Sequence, residues 1–226
     1  MTYDGVVEAG GPSAVRVLDE VEIRKVSVGP MDNNAYLLTC RQSGAQLLVD
    51  AADEPERLLE LVREGSGSAR LDTVFTTHRH PDHLRALRSV VAVTGAAVAA
   101  GADDAEAISE SADVPVGTRM QHGDALVVGH VTLEVVALRG HTPGSVALVY
   151  REPSGRAHVF TGDSLFPGGV GATRGDAAAF EQLLTDVSER LFGRLPDDTW
   201  IYPGHGRDTT LGAERPSLDE WRARGW

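Results

Sequence analysis

A single cysteine, Cys40, stands among 226 residues, so no intrachain disulfide can form and a reducing compartment suits the chain. Cys40 closes the apolar run 35–38, which marks it as a buried strand residue rather than a nucleophile. Aromatic residues are scarce at 5%, so the core must be built mostly from Val, Leu and Ala. Basic residues are outnumbered, 21 Lys and Arg against 33 Asp and Glu, giving a net charge of −12 with histidine neutral. That balance excludes nucleic acid or an anionic membrane surface as the main partner. No run approaches the ~18 consecutive apolar residues of a membrane-spanning helix. Residues 1–11 lack a basic stretch followed by an apolar one, so no signal peptide is expected and the cytoplasm is the expected location. Linkers rich in Pro or Ser, low-complexity tracts and internal repeats are missing too. The expected organisation is a loose lead-in over 1–20 and one domain over 21–226.

What is present is a repeating order of strands, a helix and a further strand. Strands are expected at 21–29, 35–40, 46–49, 71–76, 96–100, 125–128, 131–138, 145–150, 157–161 and 199–202, with hairpins around Ser43-Gly44 and Gly129-His130. Helical periodicity covers 55–64, then a stretch opening at Pro81 with Leu84, Leu87 and Val91 on one face and Gly95 at its end. Residues 103–110, 176–192 and 217–224 also read as helices, and 167–175 as a flexible glycine-rich loop. Two facing sheets with helices outside is the natural packing for this order.

One stretch is dense in metal donors: Thr77-His78-Arg79-His80-Pro81-Asp82-His83. His78 and His80 are two apart and share a side on extended backbone. Asp82 and His83 are adjacent and cannot both point that way, and Pro81 bends the path between the pairs. The spacing suggests two ligand pairs facing two points, hence two metals rather than one. Other strands end on further donors. Strand 131–138 leads to His141, 157–161 to Asp163 and 199–202 to His205. Strand ends gathered at one edge make a rigid platform for a site. The remaining histidines, His122, His130 and His158, read as surface residues.

With these residues in view, the sequence resembles the metallo-β-lactamase-fold hydrolases. The motif H-x-H-x-D-H stands as His78-Arg79-His80-Pro81-Asp82-His83, followed by His141, Asp163 and His205, with Asp50 at an early strand end. The wording Gly140-His141-Thr142-Pro143-Gly144-Ser145, Phe160-Thr161-Gly162-Asp163-Ser164-Leu165-Phe166 and Tyr202-Pro203-Gly204-His205-Gly206 is most similar to the glyoxalase II branch. The resemblance implies an α/β fold, a four-layer αββα sandwich of two mixed β-sheets with helices outside. It implies one metal on His78, His80 and His141, a second on Asp82, His83 and His205, and Asp163 bridging both. Zn²⁺ fits such donors, and Fe or Mn would too. The implied reaction is hydrolysis of a thioester or related ester by a metal-bridging hydroxide. β-Lactamases of this fold do not usually carry an aspartate at the position of Asp163, so a lactam substrate is not implied.

Two metals ~3.5–4 Å apart can share a hydroxide and polarise a carbonyl. A thiol leaving group, with a pKa of about 8.5, needs no strong acid, whereas an amine would, and Asp82 is the only candidate donor. Asp50 could accept the outer N–H of a ligand histidine, and Thr77 could add a hydroxyl behind the ligands. Arg174, in the glycine-rich loop, is a candidate to pair a substrate carboxylate, and Asn33 and Asn34 are candidates to line the entrance from a loop at 30–34. Long members of the branch carry a helical C-terminal domain that helps grip glutathione. Only residues 206–226 follow the last histidine here, so the expectation is a member without that domain, acting on a small acyl-thiol or ester. A mononuclear iron, persulfide dioxygenase-like protein, with metal held by residues matching His78, His141 and Asp163, is the alternative within the fold.

Overall fold

The computed structural model describes residues 3–67 and 70–225; residues 1, 2, 68, 69 and 226, which the expected lead-in and domain also include, lie outside that description. The first sheet follows chain order: β1 (Ala14–Val17), β2 (Val21–Val28), β3 (Asn33–Cys40), β4 (Gln46–Val49), β5 (Thr73–Thr76), β6 (Ala97–Gly101) and β7 (Thr118–Met120). β1 to β4 form an antiparallel meander, and β4 to β7 are parallel. Parallel neighbours need crossovers, and these carry α1 (Pro55–Ser66), α2 (Leu87–Thr94) and α3 (Ala105–Ala112).

The rest of the chain supplies β8 (Ala125–Val128), β9 (Val131–Ala137), β10 (Val146–Arg151), β11 (Ala157–Gly162), a small hairpin of β12 (Leu165–Phe166) and β13 (Gly169–Val170), then β14 (Trp200–Pro203) and β15 (Thr209–Thr210). The second sheet has the order β15-β14-β11-β10-β9-β8. Its one parallel pair, β11 with β14, is joined through α4 (Ala177–Val187). The chain closes with α5 (Leu211–Glu214) and α6 (Leu218–Arg224).

Period-two alternation builds the layers. Along β3, Tyr36, Leu38 and Cys40 enter the core between the sheets, while Ala35 and Leu37 pack with Leu58 and Leu61 of α1 and Leu87 of α2. Along β10, Leu148 and Tyr150 face inward, and Ala147 and Val149 meet Leu183, Leu184 and Val187 of α4. The molecule is therefore an α/β, four-layer αββα sandwich. No described helix is long and apolar enough to cross a membrane.

Several expectations are corrected. The helix expected from Pro81 is a 3₁₀ turn at Pro81–His83, and α2 starts only at Leu87. The amides of Arg85 and Ala86 donate instead to the carbonyls of Ala52 and Ala51, which pins this segment to the chain after β4. The helix expected to reach 192 becomes a π turn over Ser188–Phe192. β1, inside the span expected as a lead-in, pairs with β2, and β13 lies in the loop expected to be flexible. Cys40, His122 and His130 have their expected surroundings, the first buried and the others exposed. His158 does not. It sits on β11, between β10 and β14, fully buried, with Nδ1 3.0 Å from the Tyr202 hydroxyl and Nε2 2.8 Å from Glu152.

Candidate metal centre

The chain leaves β5, β9, β11 and β14 on one edge of the sandwich, and the next residues bring their donors together. His78, His80, His141 and Asp163 form one group and Asp82, His83 and His205 a second; within each, donor atoms lie within 4.8 Å of one another. The turn that starts at Pro81 separates the pairs, carrying Asp82 and His83 to the second group. Asp163 stands between the groups. Its Oδ1 is 3.4 Å from His83 Nε2, and its Oδ2 is 3.6 Å from His141 Nε2, 3.9 Å from His78 Nε2 and 3.5 Å from His205 Nε2. Gly204 permits this approach, because a Cβ there would strike the Asp163 carboxylate and the His83 ring.

Four rings are fixed from behind. His83 Nδ1 donates to Asp50 Oδ2 at 2.8 Å, and His205 Nδ1 and His141 Nδ1 donate to the carbonyls of Met31 and Ala172 at 2.8 and 2.9 Å. The Thr77 hydroxyl donates to Asp50 Oδ2 at 2.8 Å and lies 3.0 Å from His78 Nδ1, whose N–H it can accept. Each outer partner fixes a tautomer and leaves Nε2 facing the centre. Asp50 also accepts the Thr77 amide at 2.8 Å. It holds φ 60°, a left-handed backbone that aspartate tolerates better than most residues.

Burial, reinforced by neighbouring rings, lowers the imidazoles of His78 and His80 below the ordinary histidine value; burial likewise lowers His141. At His83 burial pulls the same way, but the Asp50 and Asp163 carboxylates outweigh it and push the ring up to about 10. At His205 burial is likewise outweighed, here by Asp163. Burial works against the ionised forms of Asp163 and Asp82, yet the His205 and His83 rings beside it hold Asp163 well below the usual carboxylate range, and the Asn33 amide and His83 lower Asp82.

His83 Nε2, His141 Nε2 and Asp163 Oδ1 are buried without a hydrogen-bond partner. Imidazole lone pairs and a carboxylate converging on one space are satisfied together by a cation, so the donor set fits a metal. An all-nitrogen and oxygen set without thiolate suits zinc, iron or manganese.

Asn33 and Asn34 do not line an entrance loop. Both are buried on β3. Asn33 Nδ2 donates to Asp82 Oδ2 at 2.9 Å, and Asn34 Nδ2 donates to the carbonyls of Pro203 and Gly206 at 2.9 and 2.8 Å, tying the His205 loop to the first sheet. Pairing with Ser27 and Val28 of β2 extends β3 over these residues, and an isolated bridge joins Asn33 to His205. Arg174 is exposed, and its charge reaches His80. A cavity of about 470 Å³ adjoins the second group, with Met31, Phe166, Pro167 and Arg207 on its walls beside Asp163 and His205. The carbonyls of Met31 and Ala172 were not foreseeable, since a backbone oxygen leaves no residue-type signal.

Residues 28–205 match the family model described as the metallo-beta-lactamase superfamily. The chain belongs to the metallo-beta-lactamase superfamily. Among curated relatives, a hydroxyacylglutathione hydrolase of Fuscovulum blasticum is 34% identical over 175 residues, covering 77% of this chain. This chain spans only 62% of that relative's length. Hydroxyacylglutathione hydrolase GloC of Haemophilus influenzae is 28% identical over 211 residues, 87% of this chain and 96% of its own. Among solved structures, TTHA1623 in a di-iron-bound form aligns with a TM-score of 0.68 and 33% identity over 84% of this chain and 96% of that one. The His/Asp cluster is thus the candidate divalent-metal site of a superfamily member.

Proposed function

We propose that this chain is a metal-dependent thioester hydrolase of the glyoxalase II kind. The observation that carries the reading is the placement of Asp163, whose carboxylate lies 3.4 Å from His83 and 3.5 Å from His205 of one donor group and 3.6 Å from His141 of the other. His78, His80 and His141 would hold one divalent ion, Asp82, His83 and His205 a second, and Asp163 would bridge them. Zinc is the first candidate, with iron and manganese next. Such a pair, when bound, supplies a water nucleophile at neutral pH and polarises a carbonyl. The names of the Fuscovulum and Haemophilus relatives and the di-iron form of TTHA1623 support both the reaction and the second ion.

The chain's own residues favour a leaving group that needs no acid. The Asn33 amide keeps Asp82 ionised, which makes it a poor proton donor. A thiol, with a pKa of about 8.5, departs as thiolate without one. The apolar wall of Met31, Phe166 and Pro167 would take part of an acyl-thiol, and Arg174 would pair a carboxylate on it. A glutathione thioester is the first substrate to try. A reducing compartment, the cytoplasm above all, suits a chain whose one cysteine is a buried thiol.

The test is metal analysis of natively produced protein together with a panel of S-acyl thiols. Two metal equivalents and thioester cleavage support the proposal; one equivalent or fewer, with no cleavage in zinc or iron, ends it. His78, His141 and Asp163 also face one another closely enough for a single iron. Oxygen uptake with a persulfide and Fe(II), without thioester cleavage, would decide for a dioxygenase instead.

A further inference from the structure

Asp104 stands at the start of α3, where an aspartate ordinarily accepts the first free amides of its helix. No helical amide reaches its carboxylate. The side chain is fully buried and instead takes donors from the two loops that carry the first group of imidazoles. The Arg79 amide, between His78 and His80, donates to Oδ2 at 3.0 Å. The Thr142 hydroxyl, next to His141, donates to the same oxygen at 2.5 Å. The Gly144 amide donates to Oδ1 at 3.0 Å. Gly144 packs so closely that a Cβ there would strike Asp104.

The second group is anchored by other means: Asp50 behind His83, Asn33 on Asp82 and the Met31 carbonyl on His205. We infer that Asp104 is a positioning residue for His78, His80 and His141. Its carboxylate staples the 78–83 loop to the 141–144 loop and so sets the approach of the His80 and His141 rings, whose centroids are 4.5 Å apart. This rests on the metal-centre reading above. An asparagine would present an N–H to one of three donors now facing a carboxylate, and that loop would be released.

The test measures metal affinity by chelator competition with Zn²⁺ and Co²⁺ in two backgrounds. A His205→Ala protein reports the first group, and a His141→Ala protein reports the second. Asp104→Asn is expected to weaken binding about 10–100-fold in the His205→Ala background and to leave it unchanged in the His141→Ala background. Thr142→Val should share the loss, and Thr142→Ser, which keeps the hydroxyl, should restore the parent affinity and Co²⁺ absorption spectrum. Should Asp104→Asn fail to fold, the Thr142 pair decides. Unchanged affinity in both backgrounds, or equal loss in both, overturns the inference alone. An unsubstituted protein that takes up no ion overturns the metal-centre reading and this inference with it.

Discussion

At position 163 a single carboxylate meets both donor groups, 3.4 Å from His83 Nε2 and 3.6 Å from His141 Nε2. Its removal should cost metal and activity while the sandwich stays folded, because the apolar layers lie elsewhere. Asp163→Ala is expected to hold fewer ions than the parent by elemental analysis and to lose hydrolysis by orders of magnitude. Two retained ions would refute the bridging role. Asp50 acts at one remove, accepting from Thr77 twice and from His83. Asp50→Asn keeps the shape but cannot accept on both sides, so metal affinity should fall about 10–100-fold by chelator competition, with the circular dichroism spectrum unchanged. The seven donors were legible because histidine and aspartate mark themselves chemically and each follows a strand. Asn33 was not, because an asparagine's partner is set by which loop the fold lays against it.

Among the elements, β2 carries a second polar anchor. Lys25 Nζ donates to Asp208 Oδ1 at 2.6 Å and to the carbonyls of Gly206 and Gly5 at 2.7 and 2.8 Å, while Asp208 Oδ2 accepts from Tyr3 and Trp200. Burial pulls Lys25 down and Asp208 up, and their pairing opposes both. Lys25→Met strands a buried carboxylate and should destabilise the protein by about 3–5 kcal/mol in urea denaturation, with Lys25→Met/Asp208→Leu recovering most of it.

His158 of β11 gives the sheet a pH dependence. Burial lowers its imidazole below the ordinary value, which the unfolded chain retains at about 6.5. Below pH 6.5 the unfolded chain therefore binds a proton that the folded chain refuses, and stability falls with pH. In metal-stripped protein the loss of urea midpoint from pH 7.5 to 5.5 should be smaller for His158→Gln than for the parent. An equal loss would place the titration elsewhere. The strands written as short continuous apolar runs were readable, as β3 and β10 attest. β1 and the β12–β13 hairpin were not, because such short strands exist only through partners distant in sequence or through a local turn.

For the whole molecule, the layered fold was legible because apolar periodicity and the order of elements admit few packings. Three apolar clusters, outside each sheet and between them, make the support rigid. Parallel crossovers bring β5 and β14, and antiparallel turns bring β9 and β11, to a common edge, so residues as far apart as His78 and His205 become neighbours. What the order of elements could not give is how the loops are fastened behind that edge, which depends on carbonyls and buried polar pairs. The proposed function requires two ions on this edge with Asp163 between them. Elemental analysis of metal per chain, on natively produced protein and on its His205→Ala variant, tests it most directly. The parent is expected to hold two equivalents and the variant about one; a parent that never exceeds one equivalent, however much zinc, iron or manganese is supplied, would rule out the paired site.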